Sequence, residues 1–514
     1  MDTKALRQKI LDLAIRGKLV PQDPSDEPAS VLLERIRAEK QQMVKAGKLK
    51  PKDIKNDTVI YKGADNLHYE KFADGSVKCV EDEIPFELPE GWEWTRLGCI
   101  GNWQSGATPS RRHPEYYGGS IPWLKTGDLN DGFINSVSEY ITEEGINNSS
   151  VVLNPVGSVL IAMYGATIGK LGIANIEVTT NQACCACLPI LIINQYLFYF
   201  LMYQKKYFIE KAVGGAQPNI SKKKIVATLF PVPPFREQKK IVSTVNNLVS
   251  KIDSIVKNKN EITNTIITIK SKILDLAIRG KLVPQDPNDE PASALLERIQ
   301  SEKEELIKQG KIKRNKKESV IFKGDDNSYY EKIGNKVNCI DEEIPFELPE
   351  SWAFIRLKTA WELISGRDLS PSDYNDKNDG IPYITGASNF KNGHVILVRW
   401  TPVPQVITRK GDLLLTCKGT IGKIAYNNFG EAHIARQIMA IRNNYGLNVD
   451  FLALCIEYSM TKIKQAAKGL IPGISREDIL NLVIPVPPIK EQEKTCNKLK
   501  VIFSAIEHIE NSLN

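Results

Sequence analysis

Apolar residues between 241 and 276 recur in a 4-3-4-3 rhythm. Ile241, Val245, Leu248, Ile252, Ile255, Ile262, Ile266, Ile269, Ile273 and Leu276 form one seam, interrupted only by Lys259. That is the a/d pattern of a coiled-coil helix, held for about five heptads. Gly280 and Pro284 stop it. At about 1.5 Å per residue the seam spans roughly 54 Å. The rhythm continues at the chain ends, through Leu499, Ile502, Ile506 and Ile509 and through Leu6, Ile10 and Leu13. Short apolar runs at 158–163 and 413–416, set between Gly, Pro and Asn turns, predict strands. Residues 195–211 and 449–464 have helical spacing. The pattern therefore predicts two mixed α/β modules joined by long helices. Segments 30–62 and 293–323 are rich in Glu, Lys and Arg and predict charged helices, either solvated faces or docking surfaces for partner subunits.

The same words occur twice. KILDLAIRGKLVPQDP stands unchanged at 9–24 and 272–287, and EIPFELPE at 83–90 and 343–350. TIGK recurs at 167–170 and 420–423, and PVPP at 231–234 and 485–488. Linking segments are nearly identical, whereas 93–230 and 353–484 share little. Two modules doing the same kind of job on different targets would look like this. The repeat is also circular. Residues 236–242 align with 490–496, and 264–283 align with 1–20. The two termini thus rebuild a second copy of the central segment, which predicts antiparallel helices closing a pseudo-two-fold ring.

Composition narrows the class. Of 514 residues, 42% are hydrophobic and 25% charged, as in a soluble globular protein. No stretch approaches the roughly 18 apolar residues of a membrane helix, and the start of the chain lacks an apolar signal core. Nine cysteines fit a reducing compartment. A cytoplasmic location is expected. The net charge of +7 permits a nucleic-acid partner without demanding one.

ILDLAIRGKLVPQDP-x-DEPAS-x-LLERI, present twice, resembles the linking regions of type I restriction–modification specificity subunits. So do SGATPS, IPW-x-KTGDL, YGATIGK, NQA, PNIS and PVPP-x-REQ. The resemblance covers essentially the whole chain. It implies an α+β protein with two target-recognition domains at 85–235 and 345–488. Linking regions at 1–84 and 236–344 and a C-terminal helix at 489–514 would join them. It further implies that each module reads one half of a bipartite site on double-stranded DNA, with the helices setting the gap. Two methyltransferase subunits and motor–nuclease restriction subunits would dock on the chain. S-adenosylmethionine, magnesium and ATP would serve those partners, with no cofactor and no catalysis in this chain.

Base edges are read by Arg, Lys, Asn, Gln, Ser and Thr, and phosphates by basic residues and backbone amides. In the first module Ser105, Thr108, Arg111, Arg112 and His113, with Tyr116 and Tyr117, supply that chemistry. Lys125, Thr126, Asp128 and Asn130 follow a predicted strand. Tyr164 and Lys170 bound a Gly-rich turn. Asn181, Gln182, Gln217, Asn219, Lys222 and Lys223 complete the set. The second module offers Arg367, Tyr374, Thr385, Ser388, Asn389, Lys391, Lys418, Lys423, Arg436 and Gln437.

Three features imitate catalytic motifs. The loop 165–170 is one residue short of a phosphate loop, and Leu171 stands where Ser or Thr would hold magnesium. A hairpin turn is the better reading. Val232-Pro-Pro-Phe235 lacks the Asn or Asp of an adenine-methyltransferase motif and reads as a module exit. Cys184, Cys185 and Cys187 lack a second ligand group and read as buried strand cysteines. On the residues alone, a protein-only scaffold and a stand-alone nuclease or methyltransferase stay open as alternatives.

Overall fold

The computed structural model describes residues 2–212, 219–310, 318–391, 393–466 and 473–513, with backbone alone for 461–466. It divides into two compact units, Met1–Asn258 and Lys259–Asn514, and the division falls inside the helix Phe235–Ile278.

In the first unit, Thr3–Ile15 is a helix capped by Asp2, whose carboxylate accepts from the amides of Lys4 and Ala5. Helix Ala29–Lys45 buries Ala29, Leu32 and Ile36. Here the structure corrects the sequence. The charged helices expected over 30–62 and 293–323 end at Lys45 and, in the second unit, at Lys308. Beyond them lie small antiparallel sheets, Val59–Lys62, His68–Lys71 and Val77–Cys79 in one unit and Ser319–Lys323, Tyr329–Ile333 and Lys336–Cys339 in the other. Val59-Ile60-Tyr61 and Val320-Ile321-Phe322 are β-branched and aromatic runs, which favour a half-buried pleated surface over a helix.

Each module packs two sheets. The first has a five-stranded sheet ordered Gly101–Ser105, Cys184–Pro189, Val159–Ala162, Leu171–Ala174, Gly132–Ile134. Its four-stranded partner runs Tyr140–Ile141, Tyr117–Leu124, Val178–Thr180, Leu153–Asn154. Helix Asn194–Glu210 covers the large sheet, placing Tyr196, Leu197 and Phe200 in one core with Val159 and Ile161. Strand alternation sends Cys185 and Cys187 into that core and Cys184 into the core between the sheets. Three thiols that face opposite ways cannot converge on one ion. Burial also pushes all three thiols up, away from the thiolate that binds metal.

The second module repeats this plan. Its large sheet is ordered Trp361–Ser365, Ile438–Asn443, Leu413–Thr416, Ile424–Tyr426, His394–Val395, Phe390–Lys391. Its small sheet runs Trp400–Thr401, Ile381–Ile384, Ala432–Ile434, Ile407–Thr408. The covering helix is Val449–Ala466.

The near-identical linking words are explained by a duplicated clasp. Trp92 donates its indole N–H to Glu237 at 2.9 Å, and Trp352 donates to Glu491 at 3.0 Å. Gln22 and Gln285 each donate to the other oxygen of the same carboxylate. Gln238 accepts from the amide of Ile193 at 3.0 Å, and Gln492 from that of Asn448 at 2.9 Å, so each tethers the start of a covering helix. Gly17 and Gly280 have φ of +66° and +67°, and a Cβ on either would come within 2.4 Å of Pro89 or 2.6 Å of Pro349. No other residue meets both demands. The words repeat because these contacts repeat.

The long helix is continuous as expected, and its burial pattern adds a detail. Ile241, Val245 and Ile252 lie in the first unit's core. Ile255, Ile262, Ile269 and Leu276 are exposed, while Val256, Ile266, Lys270 and Leu274 are buried or half-buried. A straight α-helix drifts by about 20° per heptad against a strict seven-residue repeat. Ile266 and Ile273 of the seam stay buried or half-buried, so the buried line widens from the heptad seam toward the next position along.

Candidate nucleic-acid interface

At one end of each module three chain segments meet in the same hydrogen-bonded frame. In the first module, Gly106 donates its amide to Cys184 O at 3.0 Å and Ala107 to Thr180 O at 2.9 Å. In the second, Gly366 donates to Ile438 O at 3.0 Å and Arg367 to Ile434 O at 2.9 Å. Asn181 donates to Leu124 O at 3.0 Å, and Ala435 to Ile384 O at 2.9 Å. Met163 donates to Ala183 O at 2.7 Å, and Cys417 to Gln437 O at 2.8 Å. The shared Ser-Gly word is required by this frame. A Cβ on Gly106 would meet Thr180 O at 2.2 Å, and one on Gly366 would meet Ala435 O at 2.1 Å.

The frame carries different side chains. In the first module Thr108 donates its hydroxyl to the Gln182 side-chain oxygen. Arg111 forks onto Glu139 at 2.5 and 3.1 Å and lies over the rings of Tyr117, at 4.1 Å, and Trp123, at 5.1 Å. Lys125 reaches the same carboxylate at 3.1 Å. Hydrogen bonding from Arg111 holds the Glu139 carboxyl below the usual range. Arg111, Tyr117 and Lys125 thus form one assembly. His113 stacks on Tyr116 with centroids 4.9 Å apart and meets Glu115 at 2.8 Å. Arg112 is exposed, with no side-chain partner among the described residues.

Other residues of the first module serve the backbone. Asp128 accepts from the Lys125 amide at 2.9 Å and closes a short turn, with half-buried Thr126 inside it. Ser105 ends its strand exposed, and Asn130 is exposed too. Tyr164 is exposed and bridges Asn219 through the backbone, and half-buried Lys170 closes the same hairpin. Asn181 has a buried side-chain oxygen without a partner among the described residues. Lys222 donates to Trp103 O, and Lys224 to Lys211 O at 3.0 Å, which leaves Lys223 exposed. Gln217 lies outside the described residues.

In the second module Arg436 pairs with Asp368 at 2.7 Å. Tyr374 packs on Tyr383 at 5.3 Å and carries Arg399 over its ring at 5.0 Å. Arg367, Ser388, Lys391, Lys418 and Lys423 are exposed, and Gln437 is half-buried, its side-chain oxygen without a partner among the described residues. Asn389 departs from expectation. It is 2% exposed, its oxygen accepts from Thr385 and Gly386, and its nitrogen donates to Ile396 O at 2.9 Å. Its side chain is used up in holding the loop, as a buried amide must be.

Sequence reading missed Glu139, Asp368 and Arg399. Tyr383 donates its amide to Arg399 O at 2.8 Å, as Trp123 does to Glu139 O at 2.9 Å. The two residues therefore hold equivalent places with opposite charge. A fit of one module on the other by its strands, rather than by shared words, would have exposed them.

A family model described as the type I restriction modification DNA specificity domain matches residues 89–264 and 349–514, one stretch per module with the helix that follows it. The chain belongs to that family. The EcoAI and EcoEI type I restriction enzyme specificity subunits of Escherichia coli are 26% and 25% identical to it, over 97% and 99% of this chain and 90% of each of those proteins. The fold is also that of solved structures. A chain from a structure of type I R-M system assembly and conformational transition has a TM-score of 0.56 at 18% identity, and the HsdS subunit of Thermoanaerobacter tengcongensis has 0.51 at 19%. Each covers 84% of this chain and 94% of the solved one. The chain is thus a DNA-specificity component, the non-catalytic part of such a system.

The imitations of catalytic motifs resolve in this light. The loop after Val159–Ala162 leads into another strand, Leu171–Ala174, and Gly165–Thr167 is a single helical turn. A phosphate loop needs a helix N-terminus there, so these residues do not fit a nucleotide. Val232-Pro-Pro-Phe235 joins the strand Leu229–Val232 to the long helix, with Val232 fully buried. Among the described residues no three His, Cys, Asp or Glu are grouped to hold a metal ion, and no helix is long and apolar enough to cross a membrane.

Proposed function

We propose that this specificity subunit reads a split DNA site, one half with each module, and presents each half to one of two copies of a methyltransferase subunit. The observation that carries this is the contrast within each unit. The clasp around Trp92 and Trp352 repeats its Trp and Gln bonds to one carboxylate, while the loops on the shared frame carry unlike side chains. Identical linking surfaces suit two copies of one partner, and unlike loops suit two different half-sites. Exposed Lys223, Arg112, Lys391, Lys418 and Lys423 supply phosphate contacts, which position a protein on DNA without choosing bases. Restriction subunits join the same complex in the cytoplasm. S-adenosylmethionine, magnesium and ATP serve the partners.

The test is to purify the chain with the methyltransferase encoded beside it and to sequence DNA methylated by the complex. A motif with two unlike halves and a fixed gap supports the reading. Assembly without a split motif contradicts it and moves the chain toward a protein-only scaffold.

A further inference from the structure

The shared frame sets two pairs of positions side by side. Residues 108 and 368 each stand two places after the glycine of the Ser-Gly word, next to the amide that binds the opposing strand end. Residues 182 and 436 each stand second in a three-residue turn, between Val178–Thr180 and Cys184–Pro189 in one module and between Ala432–Ile434 and Ile438–Asn443 in the other. In the first module the pair is Thr108 and Gln182, joined by a hydroxyl-to-amide hydrogen bond. In the second it is Asp368 and Arg436, joined at 2.7 Å between Nε and the carboxylate. The Arg436 backbone amide also donates to Asp368 at 3.1 Å. Both positions differ between the modules, a neutral pair in one and an ion pair in the other, and the contact between them is present in both.

We propose that this pair is the specificity-determining unit of each module. Gln182 and Arg436 read one base each, and Thr108 and Asp368 are positioning residues that aim them. The proposal rests on the reading of the chain as a DNA-specificity subunit. Both reading side chains are exposed, and Arg436 has 64% of its side chain open to solvent. Asp368 lies 2.7 Å from Nε, and the two outer nitrogens of the fork make no hydrogen bond among the described residues. Those are the donors that bind O6 and N7 of guanine in the major groove. Thr108 occupies one lone pair of the Gln182 oxygen. The second lone pair and the amide N–H remain, the acceptor and donor that match N6 and N7 of adenine. The first module's half-site thus includes an adenine set by Gln182, and the second module's half-site a guanine set by Arg436. An exposed ion pair contributes little to stability, so the pairing serves aim rather than folding. The same geometry in a chain that did not touch DNA would have no use for replacing both partners at once.

The experiment uses the full chain in complex with its methyltransferase on a randomised DNA library, read by methylation sequencing. The double variant D368T/R436Q should turn one guanine of the second half-site toward adenine and leave every other position of the motif as it was. The single variant R436A should lower discrimination at that position alone, by about 5- to 150-fold. D368A should weaken the same position less. T108D/Q182R should make the reciprocal change in the first half-site. Thermal melts matching the wild type keep folding out of the result. An unchanged motif in both R436A and the double variant overturns the proposal, as does loss of methylation at every site by a folded complex. If the wild-type complex itself methylates no split motif, the underlying DNA reading fails instead.

Discussion

The two recognition modules place matching backbone amides and carbonyls in matching hydrogen bonds, yet their surfaces near those bonds are chemically opposed. Where the first module has Glu139 under Arg111 and Lys125, the second has Arg399 over Tyr374. Where the first joins Thr108 to Gln182, the second joins Asp368 to Arg436. Backbone frame and side-chain content are therefore separable. A frame held by buried amides and closely packed glycines tolerates almost no change, while exposed loop residues substitute at little cost in stability. That is how one fold comes to carry two different readings.

The comparison breaks most readily in the buried charge of the linking sheets. Arg356 holds Glu331 at 2.7 Å, with both side chains under a tenth exposed. Arg356→Ala leaves Glu331 buried without its arginine, and should cost about 3–5 kcal/mol. Urea unfolding of the full chain checks this. Arg96→Ala, whose arginine is 14% exposed, should cost less in its own unit. Next comes the frame itself. Gly366→Ala drives a methyl into Ala435 O and should cost about 1–3 kcal/mol. It should also weaken methylation of the second half-site only, a selectivity that methylation sequencing measures.

A smaller effect concerns pH. Burial raises the Glu237 and Glu491 carboxyls, more than their bonds from Gln22, Trp92, Gln285 and Trp352 lower them. A carboxyl raised on folding stabilises the protein below its unfolded pKa, and that contribution is lost as pH rises through the folded value. For Glu70 and Glu331, burial raises the carboxyl too, but the bonds from Arg96 and Arg356 prevail and the net shift is downward. Their contribution is present above the unfolded value and lost as pH falls through the lowered one. Stability should therefore rise gently from pH 7 toward the ordinary glutamate range and fall below it. Glu237→Gln should flatten the upper slope, as urea midpoints across pH would show. The smallest effect is expected at exposed Lys223. Lys223→Ala should weaken DNA binding evenly across sequences and reduce the salt slope by about one unit.

Much of the architecture was legible in the chain. Strand and helix signals at 158–163, 413–416, 195–211 and 449–464 fall on observed elements, and the cysteines at 184–187 lie on a buried strand. Strong periodicity and long repeats make such features local in sequence. The sheets at Val59–Cys79 and Ser319–Cys339 were hidden, because each presents one face to solvent and is embedded in charge. The repeated Val-Ile-aromatic triplets in them were the available signal. The site was legible as a set of loops but not as partnerships. Arg111 meets Glu139 across 28 residues, and Asp368 meets Arg436 across 68. Asn389 looks like any loop amide until the structure shows it buried. Spacing in sequence carries no trace of contacts that only the sheet order creates.

The central claim is that the frame is common and the reading resides in what it carries. Its most direct test is a chain in which residues 349–488 are replaced by 89–234, so that both positions hold the first module on intact linking segments. In complex with the methyltransferase, methylation sequencing should return a split motif built from two copies of the half-site that the first module reads, with the gap unchanged. A motif that still contains the wild-type second half, or an assembled complex that methylates no split site, would contradict the account.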